Sequence, residues 1–306
     1  MSTTLDWTAE PLPPSLPERL RGHSNLQIAY DMVRRLERSL DNRRPQSNRE
    51  TVFCRILGYL LIHAPTDTAR AAVALEIRSA NAEGDLDAKL LQIGECYYQF
   101  LVKLCEDEEI FRPLFWSAKG RTGTPSNHSS RPLFDLGVDM VGDTLAESPR
   151  DYATAKKYGS TTVWTVLERF GYGELLDQLN GPGIHRLDNV MALSLEVHEP
   201  FESLVFWLVP STAHPDWQPN TYDIQSLYPP ELLRLPKTVR FESSDPERLP
   251  LPNPRCLEIH AACAKVAHLS GAAEYLENVL RGYEETRVLA EDGTSAELLS
   301  HLLTGS

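Results

Sequence analysis

No stretch of this chain approaches the roughly 18 consecutive apolar residues that a membrane-spanning helix needs, so no membrane span is expected. Its five cysteines, Cys54, Cys96, Cys105, Cys256 and Cys263, are odd in number and form no Cys-x-x-Cys pair. That argues against a zinc ribbon, a dithiol redox centre or a disulfide framework. Phosphate-cradling and nucleophile-elbow motifs are missing as well: there is no Gly-x-Gly-x-x-Gly, no P-loop and no Gly-x-Ser-x-Gly. Positive charge is scarce, with 30 Lys and Arg against 43 Asp and Glu and a net charge of -13. Affinity for a phosphate backbone comes mostly from Lys and Arg displacing counterions, so nucleic acid is not the expected partner. The nearest thing to a basic patch, Arg34, Arg35, Arg38, Arg43 and Arg44, is interrupted by Glu37, Asp41 and Glu50 and reads as a solvated helix face. Met1 to Pro17 is acidic and proline-rich with no apolar signal core, which points to a cytoplasmic protein.

What is present is enough apolar material for a large domain or two ordinary ones. Residues 1–22 are expected as an extended lead, because Pro11, Pro13, Pro14 and Pro17 block helix. Helical periodicity then predicts a first helix from Ser24, a second over about 49–63, a third after Thr66 and a long fourth from about Asp85 to Asp107. Together these make an N-terminal helical region over 23–116. Residues 117–150 are rich in Gly, Pro and Ser and read as a long loop. A helix around Trp164, Leu167 and Phe170 is expected over 153–179, followed by strands at 204–209 and 221–228. Pro252 and Pro254 introduce a helix to about Leu269, and Ser270-Gly271 separates it from a last helix at 272–289. The fold class is therefore α+β and predominantly helical, with a second region over 117–306.

The most informative stretch is Ile184 to Glu202, with Asn189 nine residues before His198 and Glu202 four residues after it. A spacing of four puts His198 and Glu202 on one helical face, where imidazole and carboxylate can share a cation. This stretch resembles the second half of an HNH, or ββα-metal, nuclease motif. The likeness extends to Gly120–Ser126 with Ser130-Arg131-Pro132, to Val163–Gly171, and to the run from Leu249 to Gly293. Together these are similar to the fungal family of HNH-domain proteins over about the last two thirds of the chain. The resemblance implies that Asn189 braces a turn and that His198 opens a helix that holds a divalent cation.

The family's Arg-Asp-Gly-x-x-Cys-x-x-Thr-Gly segment and its Ala-His-Ile-x-Pro strand are not readable here. Between Trp116 and Ile184 the only histidine is His128, in an Asn-His-Ser-Ser turn. The nearest candidate for the strand, Leu136 to Gly142, has Asp139 or Met140 where His belongs. A hydrolytic metal site needs an activated water and a positioned base, so loss of nuclease activity is expected. His185, in the same turn, is a substitute base. If any metal remains, His198 and Glu202 are its ligands; otherwise no metal and no cofactor is expected.

The expected function is thus that of an HNH-derived protein whose cleft serves a metal-independent cyclisation or pericyclic (Diels–Alderase-like) reaction of fungal secondary metabolism on an apolar small molecule. His198, Asn189 and His185 are the candidate polar groups, and Trp164, Phe170, Phe201 and Trp207 the candidate apolar lining. A metal-dependent endonuclease and a non-catalytic interaction protein are the alternatives. On the bland reading the tryptophans, and the helix histidines His260 and His268, are core or boundary residues. The sequence leaves the oligomeric state open.

Overall fold

The computed structural model describes residues 7–43, 49–80, 85–106, 160–179, 186–189, 191, 193–211 and 218–286. Among them the helices are α1 (Ser24–Arg43), α2 (Arg49–His63), α3 (Asp67–Ser79), α4 (Leu86–Glu106), α5 (Ser160–Arg169), α6 (Gly173–Leu179), α7 (Leu195–Glu202), α8 (Pro254–Ser270) and α9 (Ala272–Thr286). One antiparallel sheet joins β1 (Phe206–Pro210), β2 (Thr221–Ser226) and β3 (Thr238–Arg240) in that order. The architecture is α+β and mostly helical. No helix among the described residues is long and apolar enough to cross a membrane.

The chain divides into two compact units. A helical unit takes the described residues within Trp7–Glu106, Ala155–Tyr172 and Lys265–Ser306, and a mixed unit takes those within Gly173–Ala264.

In the helical unit α2 is the central element. Every residue from Thr51 to Ile62 except Arg55 is buried, as a helix apolar on all sides must be. It packs against α1, α3, α4 and α9. Thr66 caps α3, its hydroxyl accepting from Ala69 N–H at 3.0 Å.

The described part of the proline-rich lead, from Trp7, forms no helix before a 3-10 turn at Glu18–Leu20, yet it is no solvated extension. Trp7, Leu12, Leu16 and Leu20 are buried. An extended segment satisfies none of its own carbonyls, so partners must come from elsewhere. Here the hydroxyl of Tyr30 donates to Pro13 O at 2.8 Å, and that of Tyr59 donates to Glu10 O and Pro11 O at 3.1 and 3.2 Å. Arg34 donates to Leu12 O at 2.9 Å. Read from the sequence as part of a solvated face, Arg34 is turned inward, because Glu37 is buried and needs it. The Glu37 carboxylate accepts from Arg34 at 3.3 Å, from Arg55 at 2.9 Å and from Leu12 N–H at 3.0 Å. Gly58 sits under Leu12 so closely that a Cβ there would lie 2.3 Å from Leu12 Cδ2.

The helix expected over 153–179 is two helices in its described part. Gly171, at φ +82°, ends α5. Gly171 N–H donates to Glu168 O at 2.9 Å and Tyr172 N–H to Leu167 O at 3.0 Å, the paired bonds of a Schellman ending. The 3.6-residue pattern carries through the break, and only the glycine marks it.

In the mixed unit β1 and β2 pair with Trp207 opposite Gln225 and Leu208 opposite Ile224. Both predicted strands are present. The third, Thr238–Arg240, carries too few residues to show an alternation and was not legible.

Candidate functional site

The described part of the HNH-like stretch folds as a turn followed by a helix. Leu187–Asn189 is a 3-10 turn, closed by Asn189 N–H to Arg186 O at 3.0 Å and by a two-pronged ion pair of Arg186 with Asp188 at 2.9 and 2.8 Å. Asn189 is buried. α7 then starts after Ser194, whose carbonyl accepts from His198 N–H at 2.9 Å. His198 therefore lies in the first turn of its helix and Asn189 in the turn before it, as the spacing predicts.

One element ties the two together. Asn253 caps α8, its side-chain oxygen accepting from Arg255 N–H at 3.0 Å, and its own N–H donates to Asp188 O at 2.8 Å. One face further along α8, His260 Nε2 bonds Phe201 O at 3.0 Å, and its ring stacks on that of Phe201 with centroids 3.9 Å apart. The turn of Asn189 and the helix of His198 are thus fastened to α8 at points about 10 Å apart along its axis.

α7 ends in a second Schellman motif. Leu204 N–H donates to Phe201 O at 3.1 Å and Val205 N–H to Pro200 O at 2.8 Å, with Leu204 at φ 56°. A non-glycine residue there carries strain of about 1–2 kcal/mol, which burial of the Leu204 side chain offsets.

The imidazole of His198 is nearly enclosed, and its Nδ1 lies 3.1 Å from Oε2 of Glu202, which is 38 % exposed. Since a carboxylate can only accept, Nδ1 carries the hydrogen, and in the neutral ring Nε2 is then the acceptor. No other hydrogen bond to the His198 ring occurs among the described residues. The pair can orient a proton donor or acceptor at Nε2. As a metal site it falls short: catalytic zinc takes about three protein ligands, and no group of three His, Cys, Asp or Glu that could hold a metal ion occurs among the described residues.

His260 is the histidine whose role the sequence left bland, and it is a core residue. Burial lowers its pKa to about 4, so the neutral ring donates from Nε2 to Phe201 O.

The remaining candidates divide. Phe201 and Trp207 belong to the mixed unit, where both are buried. Phe201 also contacts Phe206 at 5.4 Å, and Trp207 Nε1 donates to Gln225 at 3.1 Å. Phe170 belongs to the helical unit and packs between Tyr97 and Phe100, with ring centroids 6.0 and 6.1 Å away. Trp164 is on α5, and its side chain lies outside the described residues, as do His185, His128, Trp116, Trp217 and the 136–142 segment. The aromatic lining pictured from the sequence is thus split, with two members in each unit.

Compared with known protein families, with curated proteins and with solved structures, the chain matches none. The functional reading rests on the site alone.

Proposed function

We propose that this chain is a cytoplasmic, metal-independent cyclase or isomerase of the pericyclase type, acting on an apolar small molecule on a scaffold derived from HNH nucleases. The observation that carries the reading is the His198–Glu202 pair at the start of α7, with Nδ1 held by the carboxylate and Nε2 without a hydrogen bond among the described residues. A carboxylate-braced imidazole is the arrangement by which a single ring nitrogen is aimed and kept in one tautomer. Hydrogen bonding from a protonated Nε2 to a substrate carbonyl would stabilise the charge that develops there in a cyclisation, contributing a few kcal/mol to lowering the barrier. The neutral ring would instead accept the proton of an enolisable substrate. Asn189 is the second polar group, and His185, three residues before Asp188, is kept as a candidate. Phe201 is the candidate aromatic nearest in sequence to the pair; Phe170 belongs to the helical unit's core and is not assigned to the site.

The test is conversion of a panel of linear polyenes bearing an α,β-unsaturated carbonyl, which cyclise slowly and without stereocontrol in buffer. The expected outcome is one stereoisomer formed faster with protein than without, and a rate about 10–100-fold lower in His198→Ala. Supercoiled plasmid with Mg²⁺, Mn²⁺ or Zn²⁺ supplies the counter-test. The turn-and-helix placement of Asn189 and His198 favours the nuclease alternative, and nicking that vanishes in His198→Ala would establish it and end the cyclase reading. No conversion and no nicking would leave the non-catalytic interaction protein, a reading that the burial of Phe201 and Trp207 supports.

A further inference from the structure

The helical unit holds a basic cluster that the His198 site does not use. Its centre is the C-terminal end of α2. Arg19 donates to Ile62 O at 2.9 Å, while Arg70 donates to Leu61 O at 3.0 Å and to Ala64 O at 3.4 Å. Both arginines thus satisfy carbonyls that a helix end leaves without partners, and they suit the negative end of its dipole. Arg70 also pairs with Asp67. Two groups of the cluster have no such explanation. The ring of His63 packs against Trp7 and Tyr59, with centroids 6.4 and 6.2 Å away. Lys265, on α8, lays its Nζ over the Trp7 ring at 5.8 Å. Among the described residues Lys265 makes no hydrogen bond and no ion pair.

A lysine usually reaches out to water or to a carboxylate. This one is half-buried on an aromatic face, the charged group that acts on it is Arg19, and it shares the His63 ring as a neighbour with Arg19 and Arg70. Burial and then Arg19 push its ammonium down to about 8. Burial likewise lowers His63 to about 3, so its ring is neutral near pH 7 and adds no charge there. Desolvation and a neighbouring cation are the two means by which a lysine is made nucleophilic at neutral pH.

We infer that Lys265 is a reactive amine, a second chemical site that condenses with an aldehyde, with anionic aldehydes preferred because the Arg19 guanidinium acts on the same amine. The amine lone pair adds to the carbonyl carbon, a proton passes from nitrogen to oxygen, and the carbinolamine loses water to leave a carbon–nitrogen double bond. No oxidant or reductant enters the step.

The probe is pyridoxal 5′-phosphate on the full-length protein at pH 7.5, trapped with borohydride and mapped by peptide mass spectrometry, with phosphate-free pyridoxal run in parallel. At that pH a pKa of about 8 gives on the order of 100-fold more free amine than an ordinary lysine. The lower basicity also weakens the nucleophile, as it does for thiols, and the expected net gain is about ten-fold. Lys265 should label about ten-fold faster than Lys89 and Lys237, with a rate that climbs through pH 8, and Arg19→Met should slow it. Lys265→Arg should abolish the fast label with the circular dichroism unchanged. Should that variant fail to fold, the ratio of Lys265 to Lys89 labelling in the wild type decides. Labelling of Lys265 no faster than that of Lys89 and Lys237 overturns the inference. Equal rates for the two pyridoxals overturn the anionic preference.

Discussion

The two units bury polar groups in opposite ways. In the helical unit the enclosed carboxylate of Glu37 meets two guanidiniums and a backbone N–H, so its capacity is spent on holding the lead. In the mixed unit the enclosed ring of His198 meets one carboxylate and makes no second hydrogen bond among the described residues. The same contrast runs through the helix ends. α5 closes with Gly171, which adopts φ +82° without strain, whereas α7 closes the identical pair of bonds with Leu204 at φ 56°. At each of its described left-handed positions, Gly22, Gly171 and Gly271, the helical unit uses glycine, the least costly residue there. The stretch around His198 differs on both counts within seven residues, and strain and incomplete pairing of this kind collect where a protein acts.

The largest effect expected is at Glu37. Replacing it with Ala leaves Arg34 and Arg55 mostly buried without their counter-charge, and should lower stability by about 3–5 kcal/mol in urea unfolding. A loss under about 1 kcal/mol would mean that the lead is held by apolar contacts alone and would remove the first half of the contrast.

Acid should come next. His260 and His63 have folded pKa values lowered from 6.5 to about 4 and about 3, so the unfolded chain binds more protons below pH 6.5. Their contribution is fully present above that pH and is lost as pH falls through the window, by on the order of 3 kcal/mol for His260. One histidine lies in each unit. Denaturant midpoints measured at pH 7, 5.5 and 4 should therefore fall, and His260→Leu should flatten the dependence only in the part reported by Trp207 and its neighbours. An unchanged profile in that variant would show that His260 is not the buried neutral base described.

At the helix ends Leu204→Gly should be destabilising by about 1–2 kcal/mol, because the burial lost outweighs the strain relieved. Gly171→Ala should cost about 1 kcal/mol for the opposite reason. If Leu204→Gly stabilises, burial does not repay the left-handed residue. His198→Ala should be of similar size, about 1–2 kcal/mol, since it removes a nearly enclosed ring and its hydrogen bond to a partly exposed carboxylate. A loss as large as that at Glu37 would make His198 structural and would erase the difference between the units.

The helices were legible because apolar residues at helical spacing need no knowledge of their partners. α2 in particular is apolar all round, and only a central position suits it. Gly171 was visible but outvoted by the periodicity on either side. Less could be read where one residue serves two purposes: Pro11 to Pro17 say extended, and they give no sign that Leu12 and Leu16 are core. Charge misled in the same way, since Arg34 and Glu37 look solvated until the distant Leu12 backbone is placed beside them. At the candidate site Asn189, His198 and Glu202 were within one short stretch, and their arrangement followed from spacing. Asn253 and His260, which fasten that stretch to α8, lie 50 or more residues further on, and spacing carries no information over that distance. The surroundings of Lys265 (Trp7, Arg19 and His63) lie about 200 or more residues earlier and were out of reach for the same reason.

The bond from Glu10 N–H to Leu269 O, 3.1 Å long, joins positions 259 residues apart in the chain. Translation delivers about 5–20 residues per second, so the lead leaves the ribosome roughly half a minute before the residue that receives it exists. During that interval α2, whose flank α9 later covers, offers its apolar surface to whatever is nearby. Helices α1 to α4 are made before the segments that complete them, and a ribosome stalled just before Lys265 should hold a chain that chaperones still recognise.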